Sequence, residues 1–260
     1  MNLVDIRKVD VVQYRLPLRE GGSLPAIVLG SDDFQYVLKF RGAGQGTKAL
    51  IAELIGGELA RAIGLNMPEL VFMSLDNTFG QTEGDEEIQD LLKFSVGLNL
   101  GLHFLSGAIT YDPLVSIVDP LSASKVILLD SLINNIDRTA KNTNLLNWNK
   151  ELWLIDHGAS LYFHHNWNNW TGYQYKPFPM IKDHVLLDRA TQLTKAVEDI
   201  KASINSSLIE HIVSLIPEDW LEDKNSTMSA DDKRQAYIEF LKVRLSHIDL
   251  IAKEVSDVQK

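Results

Sequence analysis

Residues 134–161, NNIDRTAKNTNLLNWNKELWLIDHGASL, constrain this chain more than any other stretch. Two aspartates, Asp137 and Asp156, bracket an asparagine, Asn142, that stands five residues after the first. The apolar run 126–132 leads in, and the short run 152–155 ends against the second aspartate. The pattern predicts a helix or strand end, a polar loop, a hairpin, and an acid at the tip of a buried strand. Asp and Asn are common in turns because their side chains bond the local backbone, so D-R-T-A-K-N alone fits an ordinary loop. Leu-Ile-Asp-His-Gly at hairpin distance is what an ordinary loop leaves unexplained.

Phosphoryl transfer calls for the same parts: a carboxylate beside the attacking hydroxyl, and an amide oxygen with a second carboxylate to hold Mg²⁺ on the phosphates. Asp-x4-Asn followed by a strand ending in Asp is also the spacing of a kinase catalytic loop and metal-binding strand. NNIDRTAKN and LWLIDHGASL resemble the HipA-like kinases. More distantly they resemble the phosphatidylinositol-kinase-like group, which shares D-x-x-x-x-N and a D-x-G/D-x-x-S strand end. The resemblance implies an α+β, bilobal protein-kinase-like fold. Its β-rich small lobe would span residues 1–107, and its mostly α-helical large lobe, with a helical tail, residues 108–260.

At 260 residues the chain can bury the core of one large domain or two lobes. A net charge of −10 argues against a general nucleic-acid binder, since phosphate backbones need a basic face. With no cysteine, disulfides, thiol catalysis and cysteine-ligated zinc are excluded. Asp5, Arg7 and Lys8 stand where a secretory signal would need an apolar core. No apolar run approaches the roughly 20 residues of a membrane span. A cytoplasmic protein is the simplest expectation.

Residues 9–16, 26–29 and 34–40 predict three strands, with Gly21, Gly22 and Ser23 in the loop REGGSLP between the first two. These glycines let backbone N–H groups approach phosphates, and Ser23 adds a hydroxyl; a plain hairpin turn fits the same residues. Lys39, in V-L-K-F, either snorkels to solvent at a sheet edge or points its amine into a nucleotide cleft. A helix is predicted from Thr47 as N-cap to about Ile63, with Gly64 as its C′ residue and Pro68 beyond. Leu50, Ile51, Leu54, Ile55, Leu59 and Ile63 share the face that packs on the sheet.

Glu53 and Glu58 on that helix compete for Lys39. Periodicity favours Glu58, which falls inside the apolar stripe, over Glu53 at its edge. The resemblance favours Glu53, because A-E-L-I-x-x-x-L-A-x-x-I-G-L-x-x-P is similar to the E-L-I/V…L-A…L-G-L-P-x-P stretch of HipA-like kinases. Residues 69–75 predict a further strand, and 77–90 a polar, acidic loop. Residues 98–109 predict the last small-lobe strand and the connection between lobes. Backbone groups around Phe104, Leu105 and Gly107 would then face adenine.

From Asp119 the pattern turns helical, with Ser122 or Ser124 as cap of a helix through Leu132 that feeds the loop. Residues 159–175 hold His164, His165, Trp167, Trp170, Tyr173 and Tyr175. Adjacent histidines diverge and no third ligand stands at helical spacing, so this segment reads as aromatic packing in a substrate-docking loop rather than a metal site. Helices are predicted over 183–200, 206–216 and 229–255, the last capped by Ser229 with Asp232. This tail carries no motif of the resemblance.

Carried over residue by residue, the resemblance makes Asp137 the group that orients the acceptor hydroxyl and takes its proton. It makes Asn142 and Asp156 the Mg²⁺ ligands, Lys39 the contact to the ATP phosphates with Glu53 holding it, and Arg138 a brace for the loop or a phosphate. Thr139 stands where many relatives carry His or Asn, and His157 replaces the aromatic of D-F-G. Autophosphorylation at Ser23 is also implied: Gly21 and Gly22 free the loop to swing out, and about −1.5 to −2 added charges repel ATP. The resemblance is to a short form, without the extra N-terminal subdomain of full-length HipA toxins, so their antitoxin partner and DNA complexes are not carried over. The implied function is that of an ATP- and Mg²⁺-dependent protein serine/threonine kinase of bacterial type. A small-molecule or lipid-headgroup kinase and a catalytically dead nucleotide-binding scaffold are the alternatives. The joint presence of Lys39, Asp137, Asn142 and Asp156 argues against the dead scaffold.

Overall fold

The three strands expected near the N-terminus are joined by two later ones in a closed barrel. The computed structural model describes residues 5–18, 24–79, 84–223 and 225–260. Strands β1 (Lys8–Pro17), β2 (Ala26–Gly30), β3 (Gln35–Lys39), β4 (Leu70–Leu75) and β5 (Gly97–His103) close in the order β1-β2-β3-β5-β4. Only the β1–β4 seam is parallel, with Lys8 opposite Phe72 and Asp10 opposite Ser74. Val9, Val11, Val28, Tyr36, Leu38, Val71 and Met73 build the barrel core. Gly21, Gly22, Ser23 and Gly80 lie outside the described residues.

Helix α1 (Gly46–Ala62) is buried continuously from Leu50 to Ala60 because it is sandwiched between the barrel and the large lobe. It begins before Thr47, which is therefore not its cap. Gln45 at the N-cap makes no side-chain cap bond, and the Thr47 hydroxyl donates instead to the Trp220 carbonyl at 2.8 Å. Gly64, at φ +79°, takes the left-handed conformation that a helix stop needs. Within the acidic stretch read as a loop, Asp85 caps a short α2 (Glu86–Phe94), accepting from Glu87 N at 3.1 Å. Two glutamates in the first turn suit the helix dipole, so the acidity marks a helix start.

Past β5, a turn leads into a second sheet of β6 (Ile109–Thr110), β7 (Leu145–Trp148) and β8 (Glu151–Leu154). Between β6 and β7 runs α3 (Pro120–Ile133), capped by Asp119 rather than Ser122 or Ser124. Asp119 Oδ2 accepts from Ser122 N at 2.8 Å, and Ser124 turns its hydroxyl back to the Pro120 carbonyl. Asn134, at φ 56°, ends α3 and releases the chain into the loop.

The helix expected over 183–200 is only α4 (Leu193–Ser203), preceded by 3₁₀ turns at Pro179–Asp183 and Leu187–Arg189. The missing half uses its backbone elsewhere: Val185 N donates to Arg138 O at 3.1 Å and Leu186 N to His184 Nδ1 at 3.0 Å. After α5 (Ser206–Ser214), the helix expected over 229–255 is two, α6 (Ala230–Ser246) and α7 (Ile248–Val258). They break at His247, whose Nδ1 lies 2.8 Å from Val243 O, and the break turns α7 onto α3 and α4 while α6 faces α5. Ser229 and Asp232 form the expected capping box. Among the described residues, no helix is long and apolar enough to cross a membrane.

Arg244 fastens α6 to the end of α3. Its buried guanidinium donates to the carbonyls of Ser131, Leu132 and Lys176. Burial pulls its pKa down to about 10, and the partial negative charge of a helix C-terminus serves as its counterpart. Arg244→Met strands those carbonyls and should cost about 3 kcal/mol or more. The check is a lower urea midpoint at unchanged slope; an unmoved midpoint would contradict the role.

Candidate active site

The third strand, the first helix and the end of β8 converge on one ammonium group. Lys39 Nζ lies 2.7 Å from Glu53 Oε2 and 2.7 Å from Asp156 Oδ1. The three side chains are 12%, 0% and 45% exposed, so the joint runs from a closed interior to the mouth of the cleft. Burial works against the Lys39 charge, but the Asp156 and Glu53 carboxylates outweigh it and hold the amine above the ordinary lysine range. Burial alone would raise the Glu53 pKa; the Lys39 charge and the contact with His157 hold it well below the carboxylate range. His157 donates its backbone N–H to Glu53 Oε2 at 2.7 Å, and its side chain packs on Gly56 of α1, where an added Cβ would collide with it. Glu58, also buried, pairs with Arg61 at 3.3 Å and takes no part in the joint.

Asp137 is half-buried on the loop after α3. Its Oδ2 accepts from Asn142 Nδ2 at 2.7 Å and from Asn144 Nδ2 at 3.3 Å, and its N–H donates to Asn135 Oδ1 at 3.2 Å. These bonds leave Oδ1 outside the amide network. Arg138 points the other way. Its Nε reaches Asp130 Oδ2 at 2.5 Å, and its Nη1 donates to the carbonyls of Asn144 and Ile155. With 1% exposure it braces the loop from inside.

Asp130 is the hub of that brace. Fully buried on α3, it accepts from Arg138, from Asn135 Nδ2 at 2.9 Å and from His184 Nε2 at 3.0 Å. The Leu186 N–H donated to His184 Nδ1 fixes the tautomer, so Nε2 carries the proton. Burial would raise the Asp130 pKa, but the Arg138 charge and the His184 bond pull it well below the usual range. Sequence reasoning missed Asp130, Asn135, Asn144 and His184. The single available signal was an acid inside the apolar run of α3.

The other predicted residues are placed as follows. Phe104 donates its N–H to Gln35 O at 2.8 Å, and the Leu105 and Ser106 carbonyls accept from Ala108 N and Trp148 Nε1. Those groups of the expected adenine edge are thus already engaged, and Gly107 turns the chain at φ +78°. His164 is buried against Tyr237, whose hydroxyl lies 2.8 Å from its Nδ1, and belongs to an aromatic cluster with Phe163 and Trp167. Among the described residues no group of three His, Cys, Asp or Glu could hold a metal ion. Asp156 and Asn142 offer hard oxygen donors, a set that suits a cation completing its shell with phosphates and water.

Comparison with known proteins fits this geometry. The HipA-like kinase family profile matches residues 11–248. Among solved structures the chain is similar to the Helicobacter pylori proinflammatory kinase CtkA, with a TM-score of 0.62 at 14% identity, covering 95% of this chain and 98% of that one. It is also similar to the Golgi casein kinase with Mn/ADP bound (TM-score 0.50, 14% identity, 96% of this chain and 74% of that one). A second structure of the Golgi casein kinase gives 0.51 at 12% identity, covering 97% and 72%. At these identities the likeness shows the fold, which is protein-kinase-like and α+β. No curated protein sequence matches the chain closely enough to mark a relative.

Two outcomes follow from the buried groups. Burial, offset only in part by Asp130, holds His184 below the ordinary histidine value, and burial holds His164 well below it. The unfolded chain takes up these protons below about pH 6.5 while the native state does not, so stability is full above that pH and falls on acidification. Urea midpoints between about pH 8 and about pH 5 should decline, and a rise would contradict neutral buried imidazoles. Separately, Gly56→Ala places a Cβ 2.7 Å from His157 Cβ. Its Tm should fall despite the roughly 1 kcal/mol helix-propensity gain.

Proposed function

The chain belongs to the HipA-like kinase family, and we propose that this kinase transfers the terminal phosphoryl group of Mg·ATP to a serine or threonine hydroxyl of a protein. The observation that carries the reading is the Lys39 joint, in which a strand lysine, a helix glutamate and the aspartate after β8 meet at 2.7 Å. That arrangement suits a group that binds phosphate oxygens and stays charged throughout.

Asp137 would face the acceptor. With Oδ2 tied by Asn142 and Asn144, its Oδ1 is left to orient the hydroxyl and take its proton. The hydroxyl oxygen bonds to the terminal phosphorus as the bond to the β-phosphate bridging oxygen breaks, leaving ADP. Lys39 would fix phosphate oxygens, held in place by Glu53. Asp156 and Asn142 would hold Mg²⁺, which when bound offsets the charge on the phosphates. Arg138 acts from behind the loop by keeping Asn144 and Asp130 in place. The phosphate-covering loop with Ser23, and autophosphorylation there, lie outside the described residues.

Labelled ATP incubated with the protein and a bacterial lysate, followed by separation of proteins from small molecules, identifies the acceptor. Label in a protein band supports the reading; label only in small molecules replaces the acceptor class. Asp137→Asn should keep nucleotide affinity within a few-fold and lower transfer by about 10²-fold or more. Asp156→Asn should weaken binding of nucleotide in Mg²⁺ and leave metal-free binding little changed. Equal binding by wild type and Asp156→Asn in Mg²⁺ removes the metal role.

A further inference from the structure

Trp220 belongs to the large lobe by sequence and to the small lobe by contact. It closes a 3₁₀ turn, Glu218–Trp220, that follows Pro217. Its side chain is almost fully buried, and its Nε1 donates to the Leu98 carbonyl of β5 at 3.0 Å. Its ring meets Phe72 of β4 edge-on at 5.5 Å, and its carbonyl accepts the Thr47 hydroxyl in the first turn of α1. Asp219 pairs with Arg41 just ahead of α1, and Asp223 pairs with Lys48 within it at 3.1 Å. From below, α6 fastens the same segment at two points. The buried Lys233 ammonium donates to Leu221 O at 2.6 Å, and Arg234 donates to Ile216 O at 3.1 Å.

The start of α1 is otherwise weakly specified. Gln45 gives no side-chain cap, and no acid stands in the first turn. The opening turn of a helix has unpaired N–H groups and frays unless something holds it. Here Thr47 and Lys48 are held, both by the Trp220 segment. Glu53 follows about two turns later on the same rod, so the placement of its carboxylate depends on where α1 begins.

We infer that Trp220, with Asp219 and Asp223, is a positioning element for the phosphate-binding lysine: it sets α1 against the barrel and thereby holds Glu53 on Lys39. The inference rests on the proposed role of the Lys39–Glu53 pair. It gives the motifless tail a task in the site, acting through α1 without touching substrate.

The test combines hydrogen exchange with kinetics on the full chain. Thr47→Val with Trp220→Phe keeps an apolar ring at the contact and removes two of the bonds that cross between the lobes, Thr47 to Trp220 O and Trp220 Nε1 to Leu98 O. Exchange of amides in α1 should rise about tenfold or more, with α3 unchanged. The rate of transfer should fall about tenfold while KM for the acceptor stays put. Arg41→Asp should show the same pattern more weakly, and adding Asp219→Arg should restore it. Wild-type exchange in α1, an equal rise in α3, or no restoration by the paired charge reversal would overturn the inference. Exchange does not depend on activity, so a wild-type protein that transfers no phosphate sinks the kinase reading while the α1 result still decides the positioning role.

Discussion

The burial of Glu53 is the constraint on which the rest of the structure depends. A carboxylate removed from water is costly unless an opposite charge and hydrogen bonds offset the loss. Lys39 supplies the charge from β3, and the His157 backbone supplies a second bond from beyond β8, both on Oε2. One side chain on α1 is therefore held only when a barrel strand and the end of a large-lobe hairpin are both in place. Separating those elements strands a buried charge, at about 3–5 kcal/mol. Assembly of the cleft and stability of the fold are one requirement. Asp156 completes the joint from a left-handed backbone at φ 57°, a conformation that a non-glycine residue keeps only where the surroundings enforce it.

Asp130 plays the same part for the loop that carries Asp137. Its three donors come from the loop itself, through Asn135 and Arg138, and from His184 some fifty residues further on. The bond to His184 recruits the segment after the aromatic loop and fits its irregular backbone, where the Val185 N–H bonds Arg138 O on the loop and the Leu186 N–H bonds the His184 ring. Two buried carboxylates thus organise the site from two sides. Glu53 fixes Lys39, and Asp130 fixes the loop that carries Asp137.

How far the sequence could be read follows from the range of these interactions. The placement of Asp137 and Asn142 on a loop and of Asp156 after a hairpin strand was legible because one short segment holds all three, and their spacing reports backbone shape directly. The choice between Glu53 and Glu58 was not legible from periodicity. Helix α1 is buried from Leu50 to Ala60, so both acids are inside and a helical wheel does not separate them. What separates them is Arg61 beside Glu58 and Lys39 beside Glu53. The helix starts at Thr47 and Ser122 were misplaced because those hydroxyls serve other bonds, to Trp220 in the one case and to Asp119 in the other. Asp130, His184 and Trp220 left little trace, as each acts on partners far along the chain.

The tail shows why a segment without a motif can still be indispensable to a site. Helix α6 holds the end of α3 through Arg244 and the α1-gripping turn through Lys233, and these residues are eleven apart. At about 1.5 Å per residue they stand about 16 Å apart along one rigid rod. The root of the Asp137 loop and the root of the Glu53 helix are thereby referred to the same body. Such a rod is specified by its length and by two buried cations facing backbone carbonyls. Carbonyls accept from any suitably placed donor, so the facing residues need no particular identity. Those constraints fix a length and two cations rather than a contiguous pattern of residues, which is why the supporting frame leaves so little trace in the sequence.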